Sequence, residues 1–354
     1  MKILMLVNWK VHYLNDDTDS IQAPDKLVDG KQYWFFRYLP NDINVDVVDF
    51  TKIPVFHYIE KNVLKFYIAQ ALRILPYFQN YDVIISHSAQ SAVVFGFLRS
   101  LMGEKKPPHI VIDPASFNGG RDNFLELLPI KFSARSISGI IYHSKIQYKY
   151  YKKNLPFLLD RTQFIPFGVD VEFFKPMELP EDPYILSFGY IKRDYHTLLK
   201  AWELLNETSV ELRIVGINNV GRCKLDSFPK NLKIFPKVPI SILKEMIAKA
   251  LFVVIPLPYY EYSYGQMSLL QSMSMGKAVI VTKTPATIDY IEDNFDAIGI
   301  IPYDVRDLAQ KIRKCLDDKD FVYRIGKNAR STVLEKYNEK LMADRIYTFV
   351  KSIL

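Results

Sequence analysis

The chain has 354 residues, of which 49% are hydrophobic and 24% are charged, and its formal net charge is +7. This length is typical of two globular domains, and this composition excludes an intrinsically disordered chain. Basic residues are spread over both halves of the sequence, which argues against a dedicated nucleic-acid-binding protein.

The apolar run at the N-terminus ends at Val7, which is too short for the core of a signal peptide, and it predicts a first buried strand. No stretch approaches about 18 uninterrupted apolar residues. Cys223 and Cys315 do not have the spacing of a metal site, so we expect a reducing compartment and no disulfide. These features predict a cytoplasmic protein, either soluble or held at the inner face of the membrane.

Short apolar runs alternate with amphipathic helical patterns along the whole chain. Near-continuous β-branched strands separated by helices are typical of parallel sheets that are covered on both faces. The pattern therefore predicts an α/β fold with two doubly wound, Rossmann-like domains. The predicted strands are Ile3–Val7, Val45–Val48, Val83–Ser86, Ile110–Ile112, Gly139–Tyr142, Ile185–Phe188, Leu212–Val215, Leu232–Phe235, Phe252–Ile255 and Ala278–Val281.

A proline-rich joint divides the sequence. The segment from Pro166 to Pro183 carries four prolines and interrupts the alternation of strands and helices, as a linker between domains does. We place the first domain at residues 1–172 and the second at residues 173–337. Residues 338–354 have the spacing of an amphipathic helix, and we expect this helix to pack back across the first domain.

The stretch from Ser263 to Thr282 is the most informative part of the chain. A glycine-containing turn follows the apolar run Leu251–Pro256, a helix then ends at Gly276, and a β-branched strand follows. A strand, a glycine turn and a helix N-terminus form an anion site, because free N–H groups and the helix dipole converge there. Gln271 is a polar residue at a helix position where a core residue would be apolar. We interpret this stretch as the pocket for a nucleotide-sugar diphosphate.

Four features occur in order along the chain: the two doubly wound domains, the joint IPFGVDVEFFKP, and the segments SFGYIKRDYHTLLKAW and YSYGQMSLLQSMSMGKAVIVT. In these features the chain resembles the retaining GT-B glycosyltransferases of family four, the glycosyl transferases group 1. The resemblance implies that the second domain binds a nucleoside-diphosphate sugar, that the first domain binds the acceptor, and that transfer occurs in the cleft between them. It also implies that no metal and no cofactor is required, and we favour a UDP- or GDP-sugar as donor.

The resemblance places a basic residue that contacts the donor diphosphate at Arg193, which follows Gly189 and Lys192. Tyr190 stands where the family has a second arginine. A guanidinium can bind two phosphates bidentately, so we predict that Lys192 and Arg193 stabilise the leaving diphosphate. The alternative is a solvated helix start with ordinary surface charges.

The family usually carries two glutamates, eight residues apart, across the turn that precedes the helix ending at Gly276. Gln271 stands at the second place, and Ser263 or Tyr262 at the first, with Glu261 as the only carboxylate nearby in the sequence. A glutamine can still hydrogen-bond a ribose diol. The alternative is a structural helix cap in which Ser263 or Ser268 bonds free N–H groups. The turn residues predicted to contact the donor are Ser263, Tyr264, Gly265, Gln266 and Met267.

In the first domain, polar residues follow predicted strands at the edge where a cleft would lie. Asp113 either holds an acceptor hydroxyl or caps its own loop, and His143 either handles protons or is structural. We name both, with Arg193, as candidate catalytic residues. His87 follows another strand, and Gly30 precedes the stretch KQYWFFRYL, which we predict to be an apolar-rich helix; we assign both to the acceptor side.

The stretch from residue 127 to residue 159 contains six lysine or arginine residues and no acidic residue, and aromatic residues are mixed among them. Such surfaces bind anionic lipid headgroups, so we expect a peripheral membrane contact through residues 131–157. The alternative is a solvated helix whose tyrosines pack on the sheet.

Taken together, these patterns predict a hexosyltransferase that moves a sugar from a nucleoside diphosphate to a hydroxyl of a glycan or lipid-linked saccharide, as in polysaccharide biosynthesis. A nucleotide-sugar epimerase of the same fold is one alternative, and it would act on the donor alone. A non-catalytic nucleotide-sugar or glycan-binding protein is the other, and it would bind the nucleotide without turnover.

Overall fold

The structure is a computed structural model, and it describes residues 1–50, 58, 60, 66–119, 123–190, 192–206, 209–217 and 229–354. Cys315 is a buried free cysteine, whereas Cys223 lies outside the described residues. The strands of the first half are β1 (Lys2–Leu6), β2 (His12–Leu14), β3 (Lys26–Val28), β4 (Asn44–Val48), β5 (Val83–His87), β6 (His109–Asp113), β7 (Gly139–Tyr142) and β8 (Thr162–Phe164). The helices of this half are α1 (Ile68–Ile74), α2 (Ser88–Met102), α3 (Ser116–Gly119), α4 (Phe124–Ser133) and α5 (Gln147–Asn154).

The first sheet has the order β4-β1-β5-β6-β7-β8, and all its strands are parallel. Alternate side chains of β1 point to opposite faces, so Leu4 and Leu6 pack with α1, whereas Ile3 and Met5 pack with the aromatic 3-10 helix Trp34–Tyr38. Strands β2 and β3 form a separate parallel pair. Further 3-10 turns lie at Ala23–Asp25, Phe78–Asn80, Ala134–Ser136 and Pro156–Arg161.

The second half repeats the alternation of strands and helices. Its strands are β9 (Tyr184–Phe188), β10 (Glu211–Val215), β11 (Leu232–Phe235), β12 (Val253–Ile255), β13 (Val279–Thr282) and β14 (Ile298–Ile300). Its helices are α6 (Tyr195–Leu205), α7 (Ile240–Lys249), α8 (Gln266–Ser274), α9 (Val305–Asp317) and α10 (Lys319–Lys336). The sheet order is β11-β10-β9-β12-β13-β14, again with parallel pairing.

The last helix, α11 (Glu339–Ile353), leaves the second half and packs on the first sheet. Ile346, Phe349 and Val350 are buried in the same cluster as Ile3 and Met5. A Cβ on Gly139 of β7 would lie 2.9 Å from the Phe349 ring, so β7 has a glycine at the point where α11 crosses it closely. The chain thus passes between the two halves twice, near residues 168–170 and 337–339, where Val169 and Asn338 form a β-bridge.

The predicted α/β fold with two Rossmann-like sheets is confirmed, and all ten predicted strands occur within one residue of the predicted ends. The sequence patterns did not predict β8, β14 or the pair of β2 and β3, each only three residues long. The stretch KQYWFFRYL is not a full helix; it contains the 3-10 segment Trp34–Tyr38.

In each sheet the strand order reverses once, at β1 between β4 and β5, and at β9 between β10 and β12. Ligands of open α/β sheets bind beyond the carboxyl ends of the strands at such a switch point. At the first switch point, Trp9 lies shortly after β1 and His87 ends β5. At the second, Gly189 follows β9 and the turn before α8 follows β12. The candidate site therefore lies where these two edges meet.

Candidate active site

A cavity of about 260 Å³ lies between the two sheets and receives residues from both. The first domain contributes aromatic and polar residues that follow β1, β5, β6 and β7, and the joint contributes Phe167 to Asp170. The lining residues are Trp9, Gln22, Ala23, Pro24, Asp25, Trp34, His87, Pro114, His143, Phe167, Gly168, Val169, Asp170, Phe174, Ser263, Tyr264, Gly265, Gln266, Met267, Gln271 and Glu339.

All five predicted turn residues, Ser263 to Met267, line this cavity. Gly265 precedes α8 with φ of +83°, and a Cβ there would lie 2.7 Å from Leu257, so only glycine fits without strain. The first intrahelical bond runs from Leu269 N–H to Gly265 O. The amides before Leu269 therefore lie at the positive end of the helix dipole, beside the cavity.

Within this turn the side chains differ in what they do. The amide of buried Gln266 donates to Ala286 O at 3.2 Å, and the Tyr264 hydroxyl donates to Pro258 O, so both side chains hold the turn in place. Met267 is 48% exposed. Gln271 is buried and lines the cavity one turn into α8, as its predicted role in nucleotide binding requires.

Arg193 lies beside the N-terminus of α8, next to the cavity lining. Its guanidinium donates to the carbonyls of Phe188 and Lys192 at 3.0 and 3.2 Å, and to the Ser268 hydroxyl at 2.7 Å. Burial lowers the pKa of Arg193 from its ordinary value. Because Ser268 accepts from Arg193 and Gly265 occupies the cap position, the alternative of a serine-capped helix at Ser268 is wrong.

Lys192 is held by two tyrosines of the loop before α8. Its Nζ donates to the Tyr262 hydroxyl at 2.7 Å and lies 5.4 Å from the Tyr260 ring centroid, and these two rings stack at 5.1 Å. Burial lowers the pKa of Lys192. Tyr262, one of the two residues at the place of the first family glutamate, thus contacts the lysine, and Glu261 is exposed.

Asp113 is a structural residue, and its assignment as a catalytic candidate is corrected. Its carboxylate is fully buried and accepts hydrogen bonds from Ala115 N–H, Phe117 N–H and the Tyr151 hydroxyl at 2.8–3.2 Å. It does not line the cavity. Burial raises its pKa to about 6, and the three donors lower it in part. The carboxylate caps the loop after β6, as in the alternative interpretation.

His143 lines the cavity and is buried. Its Nδ1 donates to Ile165 O at 2.7 Å, since a carbonyl can only accept, and this leaves Nε2 as the acceptor nitrogen of a neutral ring. Burial lowers its pKa to about 4. Tyr290 of the second domain donates to the His143 carbonyl at 2.5 Å, so the loop carrying this histidine is tied to both domains.

His87 also lines the cavity, at the carboxyl end of β5. Its ring packs edge-on against Trp9 with centroids 4.7 Å apart, and its Nδ1 lies 3.3 Å from Asn8 Oδ1. Burial, with a smaller effect of His143, lowers its pKa to about 3. The ring is therefore neutral and forms part of an aromatic wall.

Gly30 is not at the cavity between the domains, and its acceptor-side assignment is corrected. It lines a separate surface cavity with Lys26, Lys31 and Arg37. Its φ of +70° and the open space around it identify a turn glycine after β3. The position of Gly30 before an aromatic segment did not distinguish an acceptor-side residue from a turn glycine.

Three carboxylates that line the cavity were missed from the sequence: Asp25, Asp170 and Glu339. Arg37 of the first domain pairs with Asp170 at 2.7 Å and with Glu339, and Trp34 Nε1 donates to Glu339 at 2.6 Å. Burial raises the pKa of Glu339 to about 7, although Arg37 opposes this. No sequence pattern connects Trp34 with Glu339, 305 residues later.

Two kinds of feature are absent from the described ranges. No group of three or more His, Cys, Asp or Glu side chains there could hold a metal ion. No helix within those same ranges is both long and apolar enough to cross a membrane.

Residues 170–332 match the family described as glycosyl transferases group 1. The match covers the greater part of the second half of the chain, which is similar to that family. Over 89 residues, 25% of this chain, it is 28% identical to N,N'-diacetylbacillosaminyl-diphospho-undecaprenol alpha-1,3-N-acetylgalactosaminyltransferase of Campylobacter jejuni subsp. jejuni serotype O:2. The alignment spans 23% of that relative, about a quarter of its length.

Solved structures resemble the whole chain in fold. Anabaena HepE in complex with UDP-glucose is 17% identical with a TM-score of 0.70, covering 99% of this chain and 100% of that one. Sucrose-phosphate synthase of Thermosynechococcus elongatus is 15% identical with a TM-score of 0.71, covering 100% and 99%. At such identities the likeness shows the fold, and the predicted GT-B architecture is confirmed.

Proposed function

We propose that this protein transfers a sugar from a nucleoside-diphosphate sugar to a hydroxyl of a glycan or lipid-linked saccharide, with retention at the anomeric carbon. The observation that carries the proposal is the N-terminus of α8. Its glycine turn and Arg193 lie at the switch point of the second sheet, beside a cavity that the first domain completes. A donor held there would meet an acceptor held by the first domain.

Arg193 and the first amides of α8 provide the positive charge for this reaction. Negative charge grows on the diphosphate as the bond to the sugar breaks, and donors that are already fixed in place stabilise it most. Arg193 is fixed at the turn by hydrogen bonds to two carbonyls and to the Ser268 hydroxyl, so its guanidinium is held in place before any ligand binds. We assign donor binding to Arg193, to the turn Ser263–Met267 and to Gln271, with Gly189 making room for the guanidinium.

Lys192 adds a second cation at the same edge. Its contact with the Tyr262 hydroxyl is a hydrogen bond to a neutral group, which a diphosphate oxygen would replace with a stronger bond to a charged one. Tyr190 stands where the family has a second arginine, and Lys192 takes over that charge in this proposal.

His143 is a cavity residue that can accept a hydrogen bond from a substrate hydroxyl. The Nδ1 donor bond to Ile165 O fixes the tautomer, and the lowered pKa keeps Nε2 free of a proton at neutral pH. We retain His143 as a catalytic candidate on this ground, while Asp113 is withdrawn because its oxygens are occupied.

The donor is proposed to be a UDP-sugar, with a GDP-sugar as the other candidate. Support comes from HepE, whose structures contain UDP and UDP-glucose, although that likeness concerns the fold. Nothing in the proposal requires a metal ion, since Arg193, Lys192 and the helix N-terminus supply the positive charge.

The test is a thermal-shift screen with UDP, GDP, ADP and dTDP in the presence of a chelator, followed by product analysis with the matching nucleotide sugars. A stabilising shift by one nucleotide supports the donor pocket, because a ligand of the native state raises its stability by mass action. Transfer to a saccharide supports the transferase. Epimerised donor without transfer would identify the epimerase, and binding with no turnover would identify the binding protein.

We also propose that the outer face of the first domain contacts anionic lipid. Phe124, Leu125 and Leu128 of α4 are 70%, 73% and 48% exposed, and Phe157 is 56% exposed. Exposed basic residues accompany them, whereas Tyr150 and Tyr151 are buried against the sheet. The exposed basic residues of the predicted stretch are Lys131, Arg135, Lys145, Lys149, Lys152 and Lys153.

Co-sedimentation with vesicles tests this contact. We expect binding to vesicles containing phosphatidylglycerol and weak binding to pure phosphatidylcholine, with loss of binding in the double variant Phe124→Ser, Leu125→Ser. Leu204→Ser is the matched control, since Leu204 is 58% exposed on the second domain. Equal sedimentation of the double variant and the control would contradict the proposal.

A further inference from the structure

The three carboxylates in the wall of the cavity are not equivalent. Asp170 and Glu339 are both paired with Arg37. Asp25 accepts a hydrogen bond from the Gln22 amide at 2.8 Å, and none of the ion pairs between described residues includes it. Asp25 is therefore the cavity carboxylate whose negative charge is not already neutralised by a paired cation.

The segment that carries Asp25 is fastened to the first switch point. Trp9 Nε1 and the Tyr33 hydroxyl both donate to Pro24 O at 2.7 Å, so the residue before Asp25 is fixed from two sides. Trp9 itself packs edge-on against Trp34 at 5.6 Å and against His87 at 4.7 Å. The carboxylate and the indole thus have set positions before any ligand binds.

We propose that Asp25, Gln22 and Trp9 form the acceptor subsite, and that this subsite binds an uncharged sugar ring with adjacent hydroxyl groups. The inference rests on the proposed function and assigns the substrate class of its acceptor side. A carboxylate accepts hydrogen bonds only, an amide both donates and accepts, and together they can bind neighbouring hydroxyls. The half-buried indole offers an apolar face to the C–H side of a sugar ring.

Charge separates the two ends of the cavity. Arg193, Lys192 and the α8 amides lie beside the second-domain wall of the cavity and make that side suited to phosphates, whereas Asp25 in the first-domain wall repels them. A uronic acid or a phosphate at the position of the attacking hydroxyl would meet Asp25 as a like charge. The acceptor side of this cavity therefore discriminates between acceptors by charge.

Tryptophan fluorescence of the whole chain tests the subsite. Trp9 and Trp34 line the cavity, whereas the third tryptophan, Trp202, is buried in the second domain. With UDP present, we titrate glucose, galactose, N-acetylglucosamine and glucuronic acid. We expect a saturable fluorescence change with at least one neutral sugar, and we expect glucuronic acid to bind about tenfold more weakly than that sugar.

Asp25→Asn is the decisive variant and Asp29→Asn is its control, because Asp29 is an exposed aspartate close in sequence and outside the cavity lining. We expect Asp25→Asn to weaken the neutral sugar about 10- to 100-fold and to leave the UDP thermal shift unchanged, with Asp29→Asn like the wild type. Three results would overturn the inference while UDP binding is intact: no response to any neutral sugar, equal response to glucuronic acid, or unchanged affinity in Asp25→Asn. If UDP gives no thermal shift with the wild type, the proposed function is overturned instead, and the sugar titration still reports on the first-domain subsite.

Discussion

The guanidinium of Arg193 occupies the space that a side chain on Gly189 would take. A Cβ at Gly189 would lie 2.4 Å from the Arg193 guanidinium carbon, and Gly189 has φ of +140°. The glycine after β9 is therefore the reason that the arginine can fold back to the carbonyl of Phe188 and reach Ser268.

Replacing Gly189 with alanine should displace Arg193 and weaken UDP binding about as much as removing the guanidinium itself. Gly30→Ala is the matched control, because Gly30 also has positive φ, but a Cβ added there would have no atom within 4 Å. Gly30→Ala should lose about 1 kcal/mol of unfolding free energy from backbone strain, and Gly189→Ala should lose more, because a φ of +140° is essentially restricted to glycine. UDP titration calorimetry checks the difference: equal UDP affinity in the two variants would contradict this role for Gly189.

Gln271 is predicted to bind the ribose diol. Gln271→Leu should therefore weaken UDP binding about tenfold, because it removes one hydrogen bond to the ribose diol. For the same reason the variant should no longer prefer UDP over 2'-deoxy-UDP. Gln266→Leu serves as the comparison, because the Gln266 amide bonds Ala286 O inside the protein. That variant should be less stable yet keep the preference for UDP. A preference that persists in Gln271→Leu would refute the assignment.

The two cavity histidines should not titrate near neutral pH. Burial lowers the pKa of His143 to about 4 and that of His87 to about 3, so both rings stay neutral at pH 7. We expect kcat with a nucleotide-sugar donor to show no acid-limb break near pH 6.5, about the ordinary histidine pKa. A break near that pH that disappears in His143→Gln would show that the ring is protonated in the working site.

The same histidines should affect stability with a definite sign. In the unfolded chain a histidine takes up its proton below about pH 6.5, before the buried ring does, so protons favour unfolding. Their contribution to stability is present above that pH and is lost as the pH falls toward the folded-state pKa of about 4. Urea unfolding of the wild type and His143→Gln across this pH range should show a smaller pH dependence in the variant. Identical profiles would mean that the folded His143 ring takes up its proton as readily as in the unfolded chain.

Glu339 should act in the opposite direction. Its pKa is raised by burial to about 7, so the folded state holds the proton after the unfolded chain has lost it. Stability should fall as the pH rises from about 4.5 to 7, by at most about 3 kcal/mol for one group with this shift. Glu339→Gln keeps an acceptor for Trp34, leaves Arg37 its partner Asp170, and should flatten this part of the urea-unfolding profile. An unchanged profile would mean that Glu339 is ionised in the folded protein.

Much of the fold could be predicted because parallel strands buried on both faces have a strong apolar pattern, as in Val279–Thr282. The sequence also indicated that the glycine turn and Gln271 lie together, because they are close in sequence, and they line one cavity. Asp113 was misassigned because position after a strand does not show which way a side chain points, and Gly30 was misassigned because position before an aromatic segment does not show where its turn lies in the fold. Asp25 and Glu339 were missed because no sequence pattern connects them with the other cavity residues. Glu339, for example, bonds Trp34, which lies 305 residues earlier in the chain.

The most direct test of the proposed donor site is calorimetric titration of UDP into the wild type and Arg193→Ala in the presence of a chelator. We predict that UDP binds the wild type without metal and that the variant binds about 10- to 100-fold more weakly, as expected for loss of charged hydrogen bonds to a diphosphate. Equal UDP affinity in the two proteins would contradict the placement of the donor diphosphate at the N-terminus of α8.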